Sequence, residues 1–180
     1  MDILQWLKLD HEVMLRSVEK LGEDTSGTRG DALKGPIGTL VSELAFDLLG
    51  HLKAEEEYLL PELQDRFPGS DLIAGLCTAN QKTMRKHIKS LIKASSEKDG
   101  QVLEVALADL RKAVDQHLEV QESMLMPKLR QHVATSERED LGQLVEEMMS
   151  DLKSEGLDIA RELRSSVARA KPEAGNHARA

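Results

Sequence analysis

Apolar residues recur along this chain at intervals of three and four, the spacing of one face of a helix. Residues 2–22 place Leu4, Leu7, Leu15, Val18 and Leu21 on one stripe and predict a first helix. Residues 23–35 (EDTSGTRGDALKG) are turn formers and predict a loop. Pro36 suits a first helical position, so a second helix is expected to run from there toward Leu63. The PGSD stretch at 68–71 breaks the pattern, with Ser70 or Asp71 as N-cap of a third helix reaching about Ser95. KDG at 98–100 is the next stop, and a fourth helix is expected over about 101–131. Ser136 and Glu139 form a capping-box pattern that opens a fifth helix to about residue 169. Leu141, Leu144, Val145, Met148, Leu152, Ile159 and Leu163 are its apolar face. The last ten residues, 171–180, read as a disordered tail.

Four helices with short connections predict an all-α fold, an up-down-up-down four-helix bundle over residues 1–131. The additional C-terminal helix, within 132–170, either pads the bundle or pairs with a second copy of the chain as a homodimer. Composition agrees with this and narrows the partners. The chain has 180 residues, 40% of them apolar, and only four aromatics, which implies an aliphatic core and weighs against a β fold. A net charge of -8 argues against nucleic acid. No apolar run is long enough for a membrane span, and MDILQWLKLD lacks the basic start of a signal peptide. Cys77 is the single cysteine, which excludes an internal disulfide, points to a reducing, cytoplasmic setting and is best read as a core residue. Neither a Ser/His/Asp set nor a phosphate-binding glycine loop is present.

Histidine placement changes the picture most. Of six histidines, four fall one to each predicted bundle helix: His11, His51, His87 and His117. Four antiparallel helices can present one side chain each to a single internal point. Glu55 follows His51 by four residues, about 40° round and one turn along the same stripe. The segment HLKAEEEYLLPEL from His51 aligns without a gap to HLEVQESMLMPKL from His117. Pro61 and Pro127 fall ten residues after each histidine, so both helices are expected to kink or end at the same height. A single histidine on a bundle face is ordinarily a hydrogen-bonded core residue, and the EEE run at 55–57 is ordinarily a solvated face. One histidine per helix, an i,i+4 carboxylate and a repeated frame together favour a metal site. His132 and His177 stay outside this set. Tyr58, seven residues after His51, is an alternative ligand or a hydrogen-bonding neighbour of the ligands. Mixed imidazole and carboxylate donors suit iron or manganese better than a closed zinc site.

The stretches DHEVML around His11, HLKAEEEYLLP at 51–61, KHIKSL around His87 and HLEVQESMLMP at 117–127 resemble the hemerythrin-like family, the HHE cation-binding domain. The resemblance covers roughly residues 1–131. It implies a four-helix bundle around two iron ions, bridged by carboxylates and by an oxo or hydroxo group, with manganese or zinc as alternatives. The ligands it implies are His11, His51, Glu55, His87, His117 and a carboxylate on the fourth helix. The chain departs from the family pattern in two places. The third helix lacks a His-x3-His pair, because Thr83 and Leu91 flank His87 at those spacings. That makes reversible oxygen carriage a poor expectation and leaves an open position for reactivity.

On the fourth helix, Gln121 stands where the family usually has Glu, with Glu122 one residue on. Either local unwinding before Pro127 brings Glu122 in, which is the favoured assignment, or Gln121 binds through its carbonyl oxygen, or the second bridge is absent. Two classes of function fit. One is a metal protein that binds or senses oxygen, nitric oxide, peroxide or iron itself, with peroxide reduction or dismutation as a side activity. The alternative is a non-catalytic helical interaction or regulatory module with a degenerate metal site.

Overall fold

Asp2 starts the first helix: its Oδ1 accepts the backbone N–H of Leu4 at 2.8 Å, satisfying a donor that the helix itself leaves unpaired. In the computed structural model, α1 spans Ile3–Thr25, α2 Pro36–Ala54, α3 Ser70–Ser96 and α4 Gly100–Val120. Two further elements come after these, α5 over Met126–His132 and α6 over Thr135–Glu155. The structure describes residues 1–25, 36–63, 66–97 and 99–155, and no strand occurs among them. Expectations for the far end of the last helix and for the 171–180 tail, with Ile159, Leu163 and His177, lie outside the described residues.

Several helix ends differ from the sequence pattern for local reasons. Gly69 precedes α3 at φ 86°, a left-handed conformation that glycine adopts without a Cβ clash, so the helix begins at Ser70. Asp99 caps α4, its Oδ1 accepting from Gln101 N at 2.9 Å and Val102 N at 3.4 Å. The cap of α6 sits two residues earlier than the Ser136–Glu139 pattern. Glu137 reaches back to accept the Ala134 N–H at 3.1 Å, and Arg66 holds the same carboxylate from outside.

The expected kinks before Pro61 and Pro127 take a specific form. Glu55–Leu59 and Gln121–Leu125 are both π-helical, one extra residue wound into each turn. Leu60 N bonds to Glu55 O at 2.8 Å, five residues back, and Met126 N bonds to Gln121 O. Proline carries no N–H and its ring collides with the carbonyl four residues before it; widening the preceding turn relieves both problems. The extra residue also rotates the next stretch of helix. Leu59 and Leu125 become buried, while Tyr58 is turned off the His51 stripe and lies half-buried against apolar neighbours.

In the helical bundle, α1 and α3 each pack on both α2 and α4, and α6 lies across α1 and α2. Two apolar clusters result. The larger joins Met14, Val18 and Leu21 of α1 to Leu48 and Leu52 of α2, Met84, Ile88 and Leu91 of α3, and Leu110 and Val114 of α4. The smaller joins Ile3, Trp6 and Leu7 to Leu59, Leu63, Ile73, Cys77, Leu125 and Leu129. Leu141, Val145 and Met148 of α6 belong to this second cluster, so that face of α6 packs on its own chain. Between the two clusters, at the depth of residues 11, 51, 81 and 117, lies a buried polar layer. No helix among the described residues is long and apolar enough to cross a membrane.

Candidate metal centre

Each of the four long helices delivers one or two polar side chains to this layer. They are His11 from α1, His51 from α2 with Glu55 just beyond it, Gln81 from α3, and His117 from α4 with Gln121 just beyond it. All six are at most 2% exposed. A buried polar group without a partner costs several kcal/mol, so six in one layer must satisfy one another or a guest.

Their contacts converge on the carboxylate. Glu55 Oε1 lies 2.8 Å from His51 Nε2 and 3.3 Å from His117 Nε2, and it also accepts from Gln121 Nε2. Glu55 Oε2 accepts from Gln81 Nε2 at 2.8 Å. The two imidazoles stand 3.2 Å apart, Nε2 to Nε2. One donor atom each from His11, His51 and Glu55 also falls within 4.8 Å of the others.

Neighbouring groups aim these rings. His51 Nδ1 donates to Asp10 Oδ2 at 2.7 Å, which turns Nε2 inward, and Trp6 stacks on the ring at 5.7 Å with an interplanar angle of 13°. His11 Nδ1 donates to Glu122 Oε1 at 3.0 Å. Its Nε2 stands 3.2 Å from Gln121 Oε1. Among the described residues, buried His117 Nδ1 has no hydrogen-bond partner.

Electrostatics sort the protons. Burial works against a charged His51, but the Glu55 carboxylate and the Asp10 hydrogen bond outweigh it and push the pKa up to about 10. Burial likewise works against the Glu55 carboxylate, yet His51 and His117 hold its pKa well below the usual range. Burial, helped by charged His51, lowers His11. In the tautomer that gives Glu122 its hydrogen bond, a neutral His11 carries its one N–H on Nδ1. Its Nε2 lone pair therefore faces the Gln121 carbonyl oxygen, acceptor against acceptor. A cation satisfies such an arrangement where a hydrogen bond cannot. Metal bonds of about 2.0–2.2 Å around one centre put adjacent donor atoms roughly 3 Å apart, and the separations around Glu55 Oε1 are of that size. On donor chemistry and spacing, the residues fit a metal ion.

Of the ligands expected from sequence, the structure brings His11, His51, Glu55 and His117 together. His87 is not among them. It lies six residues past Gln81, about 9 Å along α3 and about 120° round, and is half-buried beside the apolar stripe of Met84, Ile88 and Leu91. Gln81 takes its place. Glu122 is also corrected: its side chain is 55% exposed and meets the outer nitrogen of His11, while Gln121 points inward. The π turn begins at Gln121, so this residue keeps the normal helical offset from His117 and Glu122 falls outside. Cys77 is buried, which pushes its thiol up to about 12 and leaves it an inert core residue.

A cleft of about 430 Å³ opens beside the layer, bounded by Lys8, Leu15, Met126 and Arg130, with His11 and Glu122 in its wall. A buried set of imidazole, carboxylate and amide donors, sealed above and below by aliphatic side chains, defines a cation-binding helical domain. The family model of the hemerythrin HHE cation-binding domain matches residues 2–129, and the chain belongs to that family. No curated protein and no solved structure matches it significantly.

Proposed function

We propose that this protein holds a non-haem metal centre, iron in preference to manganese or zinc, that binds a small ligand such as oxygen, nitric oxide or peroxide. The observation that carries the reading is the approach of His11 Nε2 to Gln121 Oε1, 3.2 Å, beside a carboxylate and two further imidazoles. His11, His51, Glu55 and His117 are the ligands, with Gln121 available through its oxygen. Bound iron supplies direct coordination of the small molecule and electron exchange with it.

The chain's own residues do the rest. Asp10 and Trp6 fix the His51 ring, and the aliphatic layers on either side keep bulk water off the centre. Of the layer's residues only His11 borders the cleft, which makes it the point of access. Glu122, on the cleft side of His11, holds the Nδ1 proton and keeps Nε2 free to coordinate.

Metal analysis of the protein expressed with iron, manganese and zinc all supplied tests this. Bound metal that is absent from Glu55→Gln supports it, as does an absorption spectrum that changes on adding azide or nitric oxide. A folded protein that takes up no metal, even after reconstitution with ferrous iron, overturns it.

A further inference from the structure

The polar layer is built from two related halves, and the relation extends further than the His51 and His117 segments. Asp10, His11, Met14, Val18 and Leu21 on α1 have the same spacing as Asn80, Gln81, Met84, Ile88 and Leu91 on α3. His11 thus corresponds to Gln81, His51 to His117, Glu55 to Gln121, and Asp10 to Asn80. The contacts correspond too: His11 meets Gln121 across the layer and Gln81 meets Glu55. The first half offers two imidazoles and a carboxylate, backed by a second carboxylate. The second half offers one imidazole and two amides, backed by a third amide.

We propose that the centre holds one divalent metal ion rather than two, on His51, His117 and Glu55 with His11 as fourth donor. In this chain the second half supplies amide support where the first supplies metal donors. The inference rests on the metal-centre reading and fixes its nuclearity. A carboxylate that spans two ions commonly offers one oxygen to each. Here both imidazoles address the same oxygen, Oε1 of Glu55, at 2.8 and 3.3 Å. Each oxygen also accepts an amide N–H, Oε1 from Gln121 and Oε2 from Gln81 at 2.8 Å, so the approach of the two imidazoles is what singles out Oε1 as the oxygen for an ion.

Orientation points the same way. Asp10 aims His51 from 2.7 Å. Its counterpart Asn80 instead meets the Gln116 carbonyl at 3.5 Å, and His117 Nδ1 is left without a partner among the described residues. Charge agrees as well. Glu55 and Asp10 supply two negative charges at the layer, which one divalent ion balances and two would exceed by two units. Glu122 is half exposed and largely screened by solvent.

The 180-residue chain, loaded without oxygen with ferrous iron and separately with manganous ion, then desalted, should retain one ion per chain. Its manganese form should give the electron paramagnetic resonance spectrum of an isolated ion. The variant Asn80→Asp, Gln81→His, Gln121→Glu should retain two ions, with a spectrum showing coupling between them. Gln121→Glu alone, read the same way, serves if the triple variant does not fold, and should bind a second ion more weakly. Two coupled ions in the unaltered protein overturn the proposal while leaving the metal-centre reading intact. No retained ion overturns both. A single ion in every folded variant refutes the assignment of the missing site to these amides.

Discussion

Asp10 decides which nitrogen of His51 faces the layer, and its effect should be separable from that of the ligands. A carboxylate behind a ligating histidine fixes the tautomer and raises the basicity of the ring, and removing one typically lowers metal affinity about 10–100-fold. Asp10→Asn should show a loss of that size in competition with a coloured chelator, with helix content unchanged. Glu12→Gln, one position past His11, should bind as the parent does. The proton on His51 gives a second prediction. Its pKa of about 10 in the folded protein lies above the unfolded value of about 6.5. Protonated His51 therefore stabilises the metal-free fold fully below about pH 6.5, and the contribution is lost as pH rises through about 10. At pH 8 an incoming metal ion must displace that proton. Calorimetric titration at pH 8 in two buffers of different ionisation enthalpy should show close to one proton released per ion. An enthalpy independent of buffer would contradict the assignment of charge to His51. At this scale the sequence was legible where residue type advertised chemistry: His51 with Glu55 at i,i+4, and His117 through the repeat. Gln81 was not, because an amide carries no metal signal by type, and His87, the third helix's one histidine, took its place. Only the spacing shared by Met14, Val18, Leu21 and Met84, Ile88, Leu91 reveals the correct register.

The two π segments show what periodicity hides at the level of an element. Pro61 and Pro127 announced a disturbance at matching heights, and that much was readable. The extra residue in each turn was not, because a 3.6-residue pattern does not register a local insertion. Its consequences are large: it buries Leu59 in place of Tyr58 and leaves Glu122 outside. The junction of α6 with the start of the chain depends on another local feature. A Cβ at Gly142 would come 1.8 Å from the carbonyl oxygen of Met1 and 3.0 Å from the backbone nitrogen of Ile3. Asp2 is held there as well, accepting from Arg138 Nε at 2.9 Å. Gly142→Ala must therefore push α6 and the first residues apart, at a cost of about 1–3 kcal/mol. Gly75 lies mid-helix in α3, and a Cβ there would meet nothing within 4 Å. Gly75→Ala should instead stabilise by about 0.4–1 kcal/mol, by restricting the unfolded chain. Urea unfolding of the two variants side by side checks the opposite signs; a neutral Gly142→Ala would mean that the N-terminal contact contributes nothing.

Across the whole molecule, a layer of six buried polar side chains divides the apolar interior in two. A bundle of the same length with aliphatic residues at those positions would hold together at least as well, since buried charges rarely repay their desolvation. The layer therefore makes the fold responsive to whatever occupies it. An ion that binds only the folded protein stabilises it by about 2.7 kcal/mol at one hundred times its dissociation constant. For a domain of this size each kcal/mol raises the melting temperature by about 2–4 °C, so saturating metal should raise it by roughly 5–11 °C. The measurement is thermal unfolding followed by far-ultraviolet circular dichroism, with manganous ion and then with excess chelator. The rise should appear with metal, vanish with chelator and be absent from Glu55→Gln, which keeps the shape of the layer but removes its only carboxylate. The acidic surface, with a net charge of -8, supplies the competing explanation, because scattered carboxylates also attract divalent ions. Surface binding would raise the melting temperature of Glu55→Gln as much as that of the parent and would weaken steeply with added salt. Binding in the layer, shielded by aliphatic side chains on both sides, should persist at about 0.5 M sodium chloride, roughly three times physiological ionic strength.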